Sequence, residues 1–162
     1  MAVIKNGYGQ IELTRVSFTK DGNIEAQCEF VARDENGEPT GEVLENGKIV
    51  AIDKAEKKVY DAEKIPEGVS ADSLVYGVNY TTEKIYNQFT PGRKHFAVVD
   101  GEYPRVGILK SGDVFATNAY LVDKGEVPAV GTVKTVGKIK LLVADNEIGT
   151  ADGQTAVKYQ VL

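Results

Sequence analysis

The chain has 162 residues, 42% of them hydrophobic, and a formal net charge of −5. That length suits one ordinary domain, and that apolar fraction fills a core at this size, which excludes a disordered class. The only adjacent basic pairs are Lys57-Lys58 and Arg93-Lys94, so the sequence advertises no positive patch for nucleic acid or anionic lipid.

Glycine is abundant, at 17 residues, and Asn-Gly or Asp-Gly pairs begin at residues 6, 21, 36, 46, 100 and 152. Such pairs accept positive φ and favour tight hairpins, so the expected class is mainly β, with about ten short strands and at most one short helix. The first residues, Met1-Ala-Val-Ile-Lys-Asn-Gly-Tyr8, are apolar at the start and have no evident partner in the chain. They are read as a candidate extended N-terminal arm over residues 1–9, with Val3, Ile4 and Tyr8 as partner-binding residues. A first core strand is the competing reading. They contain no apolar h-region, which predicts no signal peptide.

Residues 11–19 and 23–32 bracket Lys20-Asp21-Gly22 and read as a hairpin. In the second arm Ile24, Ala26, Cys28 and Phe30 alternate with polar residues, the mark of a half-buried strand. In the first arm Ile11 and Leu13 share a face while Val16 and Phe18 take the other, so a bulge or twist is expected near Thr14-Arg15. Residues 34–42 form a polar loop and 48–52 a short strand. Residues 53–65 admit a helix capped by Asp53 and Glu56, or a hairpin returning over 58–61; the β-like flanks favour the hairpin. Leu74, Tyr76, Val78 and Tyr80 alternate as a strand, residues 81–89 hold a short helix or extended turn, and 95–100 form another strand.

Residues 103–122 carry the strongest pattern: a strand, a tight turn at Ser111-Gly112-Asp113, then a strand apolar on both faces. A strand of that kind needs cover on both sides, which argues for the middle of a β-sandwich or barrel. Residues 132–136 and 138–144 read as strands meeting at Gly137, residues 145–153 as a polar segment, and 155–162 as a closing strand with Val157, Tyr159 and Val161 inward. No internal repeat or linker appears, so residues 10–162 are read as one antiparallel β-rich domain.

Side chains with reactive chemistry are sparse. Cys28 is the only cysteine, which rules out an internal disulfide and a thiolate zinc site and reads as a small buried hydrophobe. His95 is the only histidine, and no Gly-x-Ser-x-Gly elbow accompanies it. The acidic run from Asp34 has oxygens at calcium-loop spacing, but Pro39 holds the slot that needs glycine and the flanks read as strands. Asn79-Tyr80-Thr81 matches the glycosylation pattern, as chance would allow without a secretory signal. The eight tyrosines give the only support for a sugar-binding platform, and tyrosine is also a good strand residue. The expectation is no catalytic site, no cofactor and no metal.

Gly112, Asp113, Phe115, Thr117 and Asn118 resemble a Gly-Asp-x-Phe-x-Thr-Asn strand pattern of small structural proteins of tailed bacteriophages. The closing Thr155-Ala-Val-Lys-Tyr-Gln-Val-Leu162 is similar to the ending of capsid decoration, or cement, proteins of such phages. The resemblance covers the last third of the chain. It implies a non-enzymatic virion protein, synthesised in the bacterial host cytoplasm, that binds the outer capsid surface and bridges major capsid protein subunits. The acidic balance, without a basic run, leads to the expectation of no nucleic-acid or membrane partner, and self-association on the capsid stays open. Tyr103 and Arg105 are further partner-binding candidates, because tyrosine and arginine concentrate binding energy at interfaces. A tail-tube or head-fibre component and a carbohydrate-binding β-sandwich are the alternatives.

Overall fold

The computed structural model describes residues 11–81, 97–117, 128–149 and 155–162. Among them are eleven strands in two sheets: β1 (Ile11–Arg15), β2 (Ile24–Glu25), β3 (Glu29–Phe30), β4 (Ile49–Asp53), β5 (Lys58–Asp61), β6 (Val75–Asn79), β7 (Val106–Ile108), β8 (Val114–Thr117), β9 (Val133–Val136), β10 (Ile139–Gly149) and β11 (Thr155–Val161). One short helix, α1 (Phe18–Asp21), and one 3-10 turn (Ala71–Ser73) accompany them. The five-stranded sheet has the order β1-β8-β11-β10-β9 and the six-stranded sheet β2-β7-β6-β4-β5-β3. The expected mainly β class holds, and all pairings are antiparallel except β3 with β5, which run parallel.

The two sheets share one core. Ile49, Ala51, Tyr76 and Val78 of the six-stranded sheet pack in one cluster with Phe115, Leu141, Val143, Val157 and Tyr159 of the five-stranded sheet. Period-2 alternation sends the intervening residues of β4, Val50 and Ile52, to the opposite face. There they join Phe30, Leu44, Val59, Val98 and Val106 in a second cluster. β4 is therefore buried on both sides, which accounts for its unbroken run Ile49-Val50-Ala51-Ile52.

The β4–β5 hairpin forms as expected. Asp53 Oδ1 accepts the N–H groups of Ala55 (3.1 Å) and Glu56 (3.2 Å), so the Asp53/Glu56 spacing serves a turn and not a helix start. The expected bulge in β1 is also present, since Leu13 faces Phe115 but Arg15 faces Val114. Gly137 at φ 60° forms the β9–β10 turn against the Tyr76 hydroxyl, with no room for a Cβ.

Three expectations are corrected. Residues 11–19 and 23–32 do not form a hairpin: β1 pairs with β8, while β2 pairs with β7 in the other sheet. After Arg15 the chain leaves the sheet and turns through α1, which ends on Gly22 in the left-handed region. This puts Val16 and Phe18 in the shared core, which is why they broke the alternation. The ring of Phe18 fills the space a side chain at Gly107 would need. Residues 23–32 are not one strand either. Ile24 packs toward the shared core, Ala26 is exposed, and Cys28 and Phe30 enter the second cluster. Finally, the polar stretch after Ala144 continues β10 as far as Gly149, with register shifts on both sides of Asp145. Of the strand expected over 95–100, the structure shows a bridge from Val98 to Leu44. The arm with Val3, Ile4 and Tyr8, residues 82–96 including His95, and 118–122 lie outside the described residues.

Candidate interaction surface

The extended segment leading into β7 alternates outward and inward. Tyr103 is 61% exposed, Pro104 is buried and Arg105 is exposed. Pro104 anchors the segment, so the two candidate residues leave the surface two positions apart. Arg105 is held firmly: its Nε–H donates to Tyr80 Oη (2.9 Å), and its guanidinium carbon lies 4.9 Å from the Tyr80 ring centroid. Tyr80 in turn packs on Phe18 with ring centroids 5.2 Å apart. The Arg105 backbone is fixed too, its N–H donating to Thr81 Oγ1 (2.9 Å) and its carbonyl accepting from Tyr80 N–H (3.0 Å).

Below this segment lies a buried amide network. The fully buried Asn79 donates from Nδ2 to the Glu45 carbonyl (3.1 Å) and accepts from Thr81 Oγ1 (2.5 Å). Asn46 Nδ2 donates to the Thr81 carbonyl (2.9 Å). Asn79 is thus a structural residue, inaccessible to glycosylation in the folded chain.

A second surface feature has no counterpart in the sequence reading. The bridge between Leu44 and Val98 is closed by both of its backbone hydrogen bonds, each 2.8 Å. Leu44 and Val98 point into the second cluster. Their neighbours Val43 and Val99 must therefore face outward as a cross-strand pair, each 47% exposed. The turn to Tyr103 starts at Val99, whose carbonyl accepts from Glu102 N–H (3.0 Å). The signal in the sequence was two apolar doublets, Val43-Leu44 and Val98-Val99, each with one residue more than a single buried face can use.

Ionisable groups in the interior serve the fold. Asp113, nearly buried, accepts from Ser17 N–H (2.9 Å), Ser17 Oγ–H (3.1 Å) and Lys110 N–H (2.9 Å). It ties the entry to α1 to the turn between β7 and β8, and so one sheet to the other. Lys48 Nζ lies 3.1 Å from Asp61 Oδ2 and 3.4 Å from Glu63 Oε1. Burial disfavours its charge, but the two carboxylates outweigh burial and hold its pKa above the usual lysine value. Burial, with Glu25 close by, pushes the Cys28 thiol up, away from nucleophilic character. No group of three metal-ligating side chains converges among the described residues. Of the five tyrosines described, Tyr60, Tyr76 and Tyr159 are buried, Tyr80 is half-buried beneath Arg105, and Tyr103 alone is strongly exposed. Those five do not assemble a stacking platform for sugar. No family model matches the chain, and no curated protein or solved structure matches it significantly.

Proposed function

We propose that this protein is a non-enzymatic virion component of a tailed phage that binds the outer face of an assembled capsid and braces neighbouring major capsid protein subunits. The observation that carries the reading is the Tyr103-Pro104-Arg105 segment. A buried proline sets two interface-prone side chains outward, and stacking on Tyr80 fixes one of them in advance. Pre-ordering an arginine lowers the entropy cost of binding, which suits a contact repeated many times on one particle. A ligand that binds only the assembled shell stabilises it by mass action. The acidic balance suits the outer face, because the inner face meets DNA phosphates.

The test mixes purified protein with undecorated capsids of the same virus, read by co-sedimentation and by the temperature at which DNA is released. Wild type is expected to co-sediment and raise that temperature. A Tyr103→Ala/Arg105→Ala double variant, folded by circular dichroism, is expected to lose at least about tenfold in affinity. Absence of binding, or tube formation by the protein without capsids, would reject the capsid reading.

A further inference from the structure

The two Asn-Gly pairs among the described residues have opposite surroundings. In such a pair the side-chain carboxamide lies close to the next backbone nitrogen, and glycine puts no side chain in the way. Asn36-Gly37 stands on the loop between Arg33 and Pro39, which are joined by an antiparallel bridge. Every residue from Arg33 to Val43 is exposed. The Asn36 carboxamide has no hydrogen-bond partner among the described residues. Gly37 N–H donates to the Asp34 carbonyl (3.0 Å), and Asp34 Oδ1 accepts the N–H groups of Asn36 (2.9 Å) and Glu38 (3.0 Å). These bonds close one exposed turn, which can open without disturbing the core.

Asn46-Gly47 is locked in place. Asn46 is 7% exposed and Gly47 is buried. Asn46 Nδ2 donates to the Thr81 carbonyl (2.9 Å), and Gly47 N–H donates to the Asn79 carbonyl (2.8 Å). Asn79 N–H in turn donates to the Lys48 carbonyl (3.0 Å), so the Gly47 nitrogen continues the β4–β6 ladder. Both asparagines follow a glutamate, Glu35 and Glu45, so the difference between the two sites comes from the fold.

We propose that Asn36 is a site of spontaneous deamidation and that the fold withholds the same reaction from Asn46. Once base has removed its proton, Gly37 N attacks Asn36 Cγ. The N–Cγ bond forms, the Cγ–Nδ2 bond breaks, and Nδ2 leaves as ammonia after taking protons from water. The product is a cyclic succinimide joining the two residues. Water then opens the ring. Breaking the N–Cγ bond gives aspartate, and breaking the bond from N to the main-chain carbonyl carbon gives isoaspartate. Isoaspartate lengthens the main chain by one methylene inside the Arg33–Pro39 bridge and adds a carboxylate to a loop already holding Asp34, Glu35 and Glu38. At Asn46 the same attack must break both hydrogen bonds and admit base and water to a buried site, so it waits for the sheet to open. This inference stands apart from capsid binding, since it needs no partner.

The test ages the full chain in warm, mildly alkaline buffer made with heavy-oxygen water. Both asparagines fall in the tryptic peptide 34–48, and fragmentation by mass spectrometry places the incorporated label at one or the other. Folded protein is expected to take up label at position 36, faster as pH rises, and to accept a methyl group there from an isoaspartyl methyltransferase. Uptake at position 46 is expected to be at least about a hundredfold slower, because buried units open far more rarely than exposed turns. In urea the two positions are expected to react at similar rates. The inference is overturned if folded protein takes up no label at position 36, or takes it up there no faster than at position 46. It is equally overturned if urea leaves position 46 as slow as in the folded chain.

Discussion

The two sheets use the same alternation to different ends. The six-stranded sheet is buried on both faces of β4: Ile49 and Ala51 meet the opposite sheet, while Val50 and Ile52 share a second cluster with Phe30, Leu44 and Val98. The five-stranded sheet gives only its inner face to the shared core. Its outer face mixes the buried Ala116 and Ala156 with half-buried Val114, Leu142, Lys158 and Gln160 and exposed Val133. The best-buried strand among the described residues is therefore β4, and the less buried side chains lie on the outer face of β8, β11, β10 and β9.

The largest effects are expected where both sheets depend on one side chain. Phe115→Ala removes a fully buried ring that packs on Tyr159 at 6.0 Å between centroids. It should cost about 3–5 kcal/mol, measured by urea unfolding. The comparison itself is tested by a matched pair. Ile52→Ala, on the second face of β4, should cost about 2–5 kcal/mol. Val114→Ala, on the half-buried outer face of β8, should cost about 1 kcal/mol or less, given about 0.8 kcal/mol per fully buried methylene. Equal losses at the two positions would mean that the outer face of the five-stranded sheet is as tightly packed as the second face of the six-stranded one.

Lys48 probes how the doubly buried sheet tolerates charge. Lys48→Met removes the ammonium that lies between Asp61 and Glu63. The loss at pH 7 should fall below the about 3–5 kcal/mol typical of a fully buried pair, since the two carboxylate side chains keep 11% and 17% exposure. The pH dependence has a fixed sign. The folded pKa of Lys48 lies above its ordinary value of 10.5, so its contribution is complete below that value and is lost as pH rises through the folded pKa. Tyr60 and Tyr76, whose pKa values burial also raises, add to the same alkaline loss. The difference between wild type and Lys48→Met in the slope of stability above about pH 10 isolates the lysine. Identical slopes would show that Lys48 is not charged through its carboxylates.

Much of this was legible in the chain. Regular alternation announced β6 and β11, and the β-like flanks announced the β4–β5 hairpin. The break in parity at Thr14-Arg15 announced a real bulge. What was not legible depended on contacts between distant residues. Lys20-Asp21-Gly22 looks like a hairpin turn because Asp-Gly serves a left-handed helix end as well as a two-residue loop. Nothing local says that Phe18 will fill the space above Gly107. Residues 145–149 read only as part of a polar segment, although the strand there pairs with β11. Of the surface candidates, Tyr103 and Arg105 were found by residue type alone, and Arg105 proved to be fixed by Tyr80. Val43 and Val99 were missed because an apolar doublet reveals which side it faces only when its partner strand is known.

The smallest expected effect is on stability at those two valines, and it separates surface function from packing. Val43→Thr and Val99→Thr keep the branched shape and the strand preference while adding a hydroxyl that solvent can reach. Each should stay within about 0.5 kcal/mol of wild type in urea unfolding, as exposed substitutions usually do. If either falls well outside that range, the valine is packed against part of the chain, and its exposure does not mark a surface available to another molecule. If stability holds, the two valines stand outside the packed interior, on an exposed bridge placed there by Leu44 and Val98 pointing the other way.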